Sequence, residues 1–332
     1  MRNDDTMISG AWPILFDVGG INATAFAALK PAVPRVQFGQ IRECPHPAGV
    51  LPQFNKDGTM QNGGIPQRAN LSLHLSTLNK TLQKYIEPDA DYWLDVDFES
   101  FSLIWELEAS HSAAVNASIE HARARHANLT EAQLNETAKG EYESAAMAFW
   151  LATLRLIRSV RPGLKLLAYG IPTRFYYDGY DSAQGPLLRA YNDRALTPLV
   201  CALDALAPSV YQFYNSEAKP ATAAGNRAYV YSNIAEARRI ADAAPQACLP
   251  YREKPTVPPV IAYIWHRCHD PPYAELSASD FQMFLDEGHR AGADAWAWWG
   301  DEGPASPFGP GNFSQWWTER FAPLINAWSP AV

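Results

Sequence analysis

The sequence predicts an α/β protein, a parallel (β/α) barrel of seven or eight strands forming one domain over residues 1–332. Three observations lead there. Seven short runs rich in β-branched and aromatic residues are apolar at nearly every position, as strands covered on both faces must be. Helix-like stretches stand between them. No linker-like segment interrupts the alternation. An open nucleotide-binding sheet fits less well, because "DVGGIN" (17–22) after the first run lacks the G-x-G-x-x-G spacing.

In chain order the strand runs are "PILFDV" (13–18), "RVQFGQI" (35–41), "YWLDVDF" (92–98), "KLLAYGI" (165–171), "SVYQFY" (209–214), "PVIAYIW" (259–265) and "ADAWAWW" (293–299). Helices are expected near 70–86, 130–160, 188–206, 232–244, 277–290 and 313–328. The longest of them follows the cap-like Thr130. Its apolar residues recur at three and four, and it ends before Pro162.

With 47% hydrophobic residues the chain can bury a large core. No run of about 18 apolar residues occurs, so no membrane span is expected. A net charge of −8 argues against a nucleic-acid binder, whose affinity would come from a basic face. The N-terminal "MRNDDTMISG" lacks the apolar centre of a signal peptide. Seven Asn-X-Ser/Thr sequons, at Asn22, Asn70, Asn79, Asn116, Asn128, Asn135 and Asn312, nevertheless favour a secreted glycoprotein. The four cysteines, Cys44, Cys201, Cys248 and Cys268, show no metal-binding spacing. Cys201 reads as a buried hydrophobe in a helix. Cys248 and Cys268 flank an apolar strand and pair only if their loops return close together.

The unusual stretch is "YWLDVDFES" (92–100). Asp95, Asp97 and Glu99 alternate with Val96 and Phe98, so on a strand all three acids share one face. Burying one acid is costly and aiming three at one place costs more, which points to chemistry. Successive same-face Cα atoms lie about 6.5–7 Å apart, too spread for one strand to chelate a small cation. Neither a metal nor a cofactor is expected. In a barrel, active sites sit at the C-terminal strand ends, which is where Glu99 falls.

From here the sequence resembles the hyaluronidase family of glycoside hydrolases. "NGGIPQRANLSLHL" (62–75) is similar to that family's N-G-G-(L/I)-P-Q…L…H-L, and "VDFESFSLIW" (96–105) to its D-W-E-x-W-R-P-x-W. "AKGEYESAAMAFWLATLRLIRSVRP" (138–162), "YNDRALTPLVCALDALAPSVY" (191–211) and "GADAWAWWG" (292–300) continue the pattern in family order. Two departures stand out. The family's W-R-P is Phe101-Ser102-Leu103, and the loop "PTRFYYDGYDSAQGP" (172–186) has lost the family's cysteines. Asp95 adds a third acid, similar to the D-x-D-x-E end of the chitinase motif of another barrel family.

The resemblance implies a TIM-barrel-like glycosidase that cleaves beside a 2-acetamido sugar by substrate assistance. The sugar's own amide oxygen is the nucleophile, and such intramolecular attack has effective molarities up to roughly 10⁵–10⁸ M. Glu99 is then the general acid and later the base, and Asp97 holds the acetamido N–H and offsets the developing charge. Two close carboxylates resist ionising together, so Glu99 is expected to keep its proton above the usual carboxylate range. Tyr169 and Tyr211 would steer the acetamido group, and Trp299 would floor the sugar. Asp95, deeper in the strand, joins the substrate-binding group as a residue able to bias Asp97. Trp296 and Trp298 read as packing or rim residues, Asn62 and Gln67 as loop-capping groups at a helix start, and His74 as a buried helical histidine. The expected partner is a glycosaminoglycan such as hyaluronan or chondroitin. The alternatives are a neutral, chitin-like amino-sugar polymer, or a barrel that binds glycans without cutting.

Overall fold

The computed structural model describes residues 14–19, 35–36, 38–41, 49–108, 112–172, 185–270, 273–301 and 317–328. Asn22, Asn312 and Cys44 lie outside the described residues, as does most of the 172–186 loop.

The parallel strands are β1 (Ile14–Gly19), β2 (Arg35–Val36) and β3 (Phe38–Ile41); a small antiparallel hairpin, β4 (Gln53–Phe54) with β5 (Met60–Gln61), follows. Then come β6 (Trp93–Val96), β7 (Lys165–Leu167), β8 (Ile261–Trp265) and β9 (Ala295–Asp301). One sheet runs β2-β1-β9-β8 and another β3-β6-β7, with every pairing in them parallel. Single parallel bridges join Tyr169 to Ala207, Leu206 to Val260 and Ser209 to Tyr263. The 206–209 segment therefore stands between β7 and β8. Since β2 pairs with β1 and β3, one residue further on, pairs with β6, the links return to their start. Among the described residues seven strand positions follow one another along these links, within the expected seven or eight.

Period-two alternation sorts each strand between two cores. Trp93, Leu167, Tyr169, Ala205, Ala207, Tyr211, Ile261, Tyr263, Trp265, Ala295, Ala297 and Trp299 pack together inside the ring. Their neighbours Leu94, Val96, Phe98, Leu166, Ala168, Leu206, Val210, Ala262, Ile264, Trp296 and Trp298 join the outer core under the helices. The packing expectation for Trp296 and Trp298 matches their burial there, at 1% and 0% exposure.

The helices start where the sequence offers caps. Asn70 accepts the Leu73 N–H at the head of Leu71–Tyr85, Thr130 forms a capping box with Gln133 before Glu131–Val160, and Ser277 accepts the Asp280 N–H before Ala278–Ala291. Gly292 closes that last helix at φ +88°, where a Cβ would strike the Arg238 side chain at 2.9 Å. The loop-capping expectation holds for Asn62, which ties the loop before Leu71–Tyr85 to Val50 O and to the N–H of the N-cap residue Asn70. It needs correcting for Gln67, whose amide makes no hydrogen bond among the described residues.

Other differences have local causes. The 188–206 helix is two, Gly185–Ala195 and Thr197–Val200, with Pro198 in the first turn of the second. The 209–214 run is held by one isolated bridge, Ser209 to Tyr263, rather than a ladder. Ser112–Arg125 is an alanine-rich helix whose weak amphipathicity left no sequence signal. Cys201 is no isolated hydrophobe: it is disulfide-bonded to Cys248, 47 residues away, with Cα atoms 5.3 Å apart, and Cys268 is a buried free thiol. No described helix is long and apolar enough to cross a membrane.

Candidate active site

Four of the predicted residues, Asp95, Tyr169, Tyr211 and Trp299, touch in series. Because the ring is parallel, the ends of β6, β7, β8 and β9 and the 206–211 segment meet at its C-terminal side. Along β6 and the two residues after it, the outward Leu94, Val96 and Phe98 belong to the outer core, so alternation leaves Asp95 and Asp97 on the other face. Asp95 is fully buried, Asp97, just past the strand, is half-buried, and Glu99 is exposed.

Asp95 is engaged by protein groups. Its Oδ1 accepts the Tyr169 N–H at 2.9 Å and its Oδ2 accepts the Tyr263 hydroxyl at 2.8 Å. The Tyr169 hydroxyl shares a 3.0 Å hydrogen bond with Ser209 Oγ. The Tyr169 ring lies 5.6 Å from Tyr211 and edge-on to Tyr263 at 5.2 Å. Tyr211 stacks on Trp299 at 5.7 Å and 26°, and Trp299 meets Trp265 edge-on at 5.3 Å. Tyr169 and Trp299 are half-buried, whereas Tyr211 is 6% exposed. The result is a continuous aromatic wall across β7, the 206–211 segment, β8 and β9. Such a wall with hydroxyls along it is what the apolar faces and polar edges of a pyranose ring require.

Tyr263, Ser209 and Trp265 were not among the sequence expectations. A signal for two of them was present. In "IAYIW" residues 261, 263 and 265 share one strand face, so once β8 is placed in the ring Tyr263 and Trp265 must point inward.

The segment after Glu99 is tied on both sides. Ser100 donates to Gln53 Oε1 at 2.8 Å, the Ser102 N–H to Glu108 at 2.7 Å, and Tyr142 to the Ser102 carbonyl at 3.1 Å. The Trp105 N–H donates to Glu143, which with Glu106 also receives Arg194. Burial works against the charge on Glu106, but hydrogen bonds from Arg194 and Lys139 outweigh it and hold the carboxyl down, at about 2. The Phe101-Ser102-Leu103 stretch is thus held at Ser102 by Glu108 and Tyr142.

Behind Phe98, between the two acids, stands His74. It is 0% exposed, and its ring packs against Phe149 at 4.2 Å and edge-on to Phe98 at 5.9 Å. Nδ1 accepts the Val50 N–H at 3.2 Å, so the ring proton sits on Nε2, 2.9 Å from Thr153 Oγ1. Gly49 makes room, since a Cβ there would fall 2.2 Å from the ring. Burial pushes the imidazole down from 6.5 to about 4. Above pH 6.5 the folded and unfolded chains both carry it neutral. As pH falls, the unfolded chain takes a proton first, and stability drops by about 1.4 kcal/mol per unit. The loss is complete near pH 4, where the folded site also protonates. Summed over the window it is about 3 kcal/mol. Denaturant midpoints at pH 7 and 4.5 should differ less in His74→Gln than in the wild type. An unchanged difference would assign the acid lability to other groups.

Comparison with known proteins identifies the family and the fold. The glycoside hydrolase 56 family, described as Hyaluronidase, matches residues 46–306. A hyaluronidase of Polistes annularis is 29% identical over 259 residues, covering 76% of this chain and 65% of that protein. A chondroitin hydrolase of Caenorhabditis elegans is 30% identical over 182 residues, covering 53% of this chain and 39% of the relative. The chain thus spans less than two thirds of the length of either. The crystal structure of bee venom hyaluronidase in complex with a hyaluronic acid tetramer superposes with a TM-score of 0.78 at 20% identity, covering 95% of this chain and 99% of that one. The shared fold is that of the barrel.

Proposed function

Since the chain belongs to the hyaluronidase family of glycoside hydrolases, we propose that it hydrolyses β-linked N-acetylhexosaminide bonds in a glycosaminoglycan, hyaluronan first and chondroitin second, with retention of configuration. The observation that supports this most is the β6 end: Asp97 half-buried and Glu99 exposed follow Asp95, whose carboxylate is bonded to Tyr169 in the Tyr169–Tyr211–Trp299 wall.

In this reading the sugar lies along the aromatic wall and its acetamido oxygen attacks its own anomeric carbon. Glu99 gives its proton to the departing glycosidic oxygen. Asp97 accepts the amide N–H and offsets the positive charge that grows on the oxazolinium ring, a stabilisation made only as the transition state forms. Glu99, now a carboxylate, takes a proton from water, whose oxygen opens the ring from the face the leaving group left. Two inversions give net retention. Tyr169 and Tyr211 hold the acetamido group, and Trp299 supplies an apolar floor. No unsaturated product arises, because no proton leaves the sugar carbons.

A neutral amino-sugar polymer is the second reading. The loss of the family's W-R-P arginine at Phe101-Ser102-Leu103 and the net charge of −8 favour it. Reducing-end release from hyaluronan, chondroitin, heparosan and chitin oligomers, from acidic to neutral pH, separates the two. Hyaluronan or chondroitin should be cleaved fastest, with no ultraviolet-absorbing ends. Turnover confined to chitin oligomers selects the second reading, and turnover of none leaves a glycan-binding barrel.

A secreted protein is part of the same proposal. The Cys201–Cys248 disulfide belongs to an oxidising compartment. The sequon residues Asn70, Asn116, Asn128 and Asn135 are exposed. Deglycosylation of the protein from a eukaryotic host should lower its mass, and an unchanged mass would remove the support the sequons lend.

A further inference from the structure

We propose that Asp95, the acid that the family's D-W-E pattern does not include, is a positioning residue that sets the aromatic wall rather than touching the sugar. The proposal rests on the glycosidase reading above and deepens it. Its ground is geometric. A carboxyl group with 0% exposure cannot meet a polysaccharide, yet its two oxygens reach two different strands of the wall. One holds the backbone of Tyr169 at 2.9 Å and the other the hydroxyl of Tyr263 at 2.8 Å, 168 residues away in sequence. Tyr263 in turn packs its ring edge-on against Tyr169. Tyr169 is thereby fixed at its main chain by Asp95, at its ring by Tyr263 and at its hydroxyl by Ser209. The next contacts are Tyr211 and then Trp299. A buried acceptor at this one point therefore sets the placement of the residues assigned to the acetamido group and the sugar face. The role therefore needs a side chain of this shape that can hydrogen-bond at both positions, and not a transferable proton. Asparagine meets that need: its Oδ1 accepts the Tyr169 N–H and its amide donates to a rotated Tyr263 hydroxyl.

The test compares wild type with Asp95→Asn, Asp95→Ala and Tyr263→Phe, measuring kcat and KM separately on hyaluronan and recording near-ultraviolet circular dichroism of the tyrosines and tryptophans. Asp95→Asn should keep kcat/KM within about threefold and retain the wild-type pH–rate profile and spectrum, since the hydrogen bonds survive. Asp95→Ala should lose about a hundredfold in kcat/KM, the scale of a small misplacement of bound substrate, with an altered spectrum. Tyr263→Phe should lose about tenfold with a smaller spectral change of the same sense. If Asp95→Asn is as inactive as Glu99→Gln, or moves the pH–rate profile, Asp95 takes part in the proton chemistry and the proposal is overturned. A folded Asp95→Ala with wild-type spectrum overturns it as well, whatever its activity. Should Asp95→Ala fail to fold, wild-type kcat/KM and spectrum in Tyr263→Phe overturn it. A wild-type protein inactive on every glycan refutes the proposed function only, and the spectra still decide on Asp95.

Discussion

Glu99→Gln is expected to lower turnover by about a thousandfold, within the range that a positioned general acid–base group contributes. The amide matches the acid in size and cannot deliver a proton to the leaving oxygen. Glu99 is exposed beyond the end of β6, so the fold should be almost indifferent, with a change within about 1 kcal/mol. Activity should fall in kcat and kcat/KM alike, as for an interaction made only in the transition state. A glycoside whose leaving group departs as a stable anion needs less protonation and should lose far less. Reducing-end assays and thermal melts read both halves. Substantial activity of Glu99→Gln on polymeric substrates would show that another group is the acid.

Asp97→Asn is expected to cost about 10²–10³ in kcat, the scale of removing one preorganised electrostatic partner from a transition state. Asparagine keeps an oxygen to accept the acetamido N–H but has no negative charge to offset the oxazolinium. The loss should therefore be greatest on N-acetylated substrate and small on the deacetylated polymer, where no such ring forms. Equal losses on the two would mean that Asp97 acts in general binding or in stability rather than on the acetamido arm. Paired kinetics on matched acetylated and deacetylated oligomers make the comparison direct.

The alternation in "YWLDVDFES" was enough to put Asp95, Asp97 and Glu99 on one face, because side-chain direction along a strand depends only on the local backbone. The same local rule made the strand runs legible. Helix starts were legible where a cap stood out in the chain, as at Thr130, and Ser112–Arg125 was missed because its apolar stripe is weak. The resemblance to a known family, carried by "NGGIPQ" and the D-x-E pair, selected Tyr169, Tyr211 and Trp299, and these three lie in one aromatic wall. Partnership was not legible. Nothing near Asp95 in the chain announces that Tyr263 will bind its second oxygen, and nothing near Cys201 announces Cys248 rather than Cys268 as a partner for one of them.

The chain by itself determined most of the order of strands and helices, the shared face of the three acids, and the two-residue alternation within each strand. These follow from periodicities of two and 3.6, which any short segment carries within itself. Only the closed ring decided which inward groups meet. It gave Asp95, expected deeper in the strand, its partners on two other strands, and it left Glu99 exposed. Contacts across a barrel depend on the register of every strand between them, a property of the whole chain that no local pattern encodes.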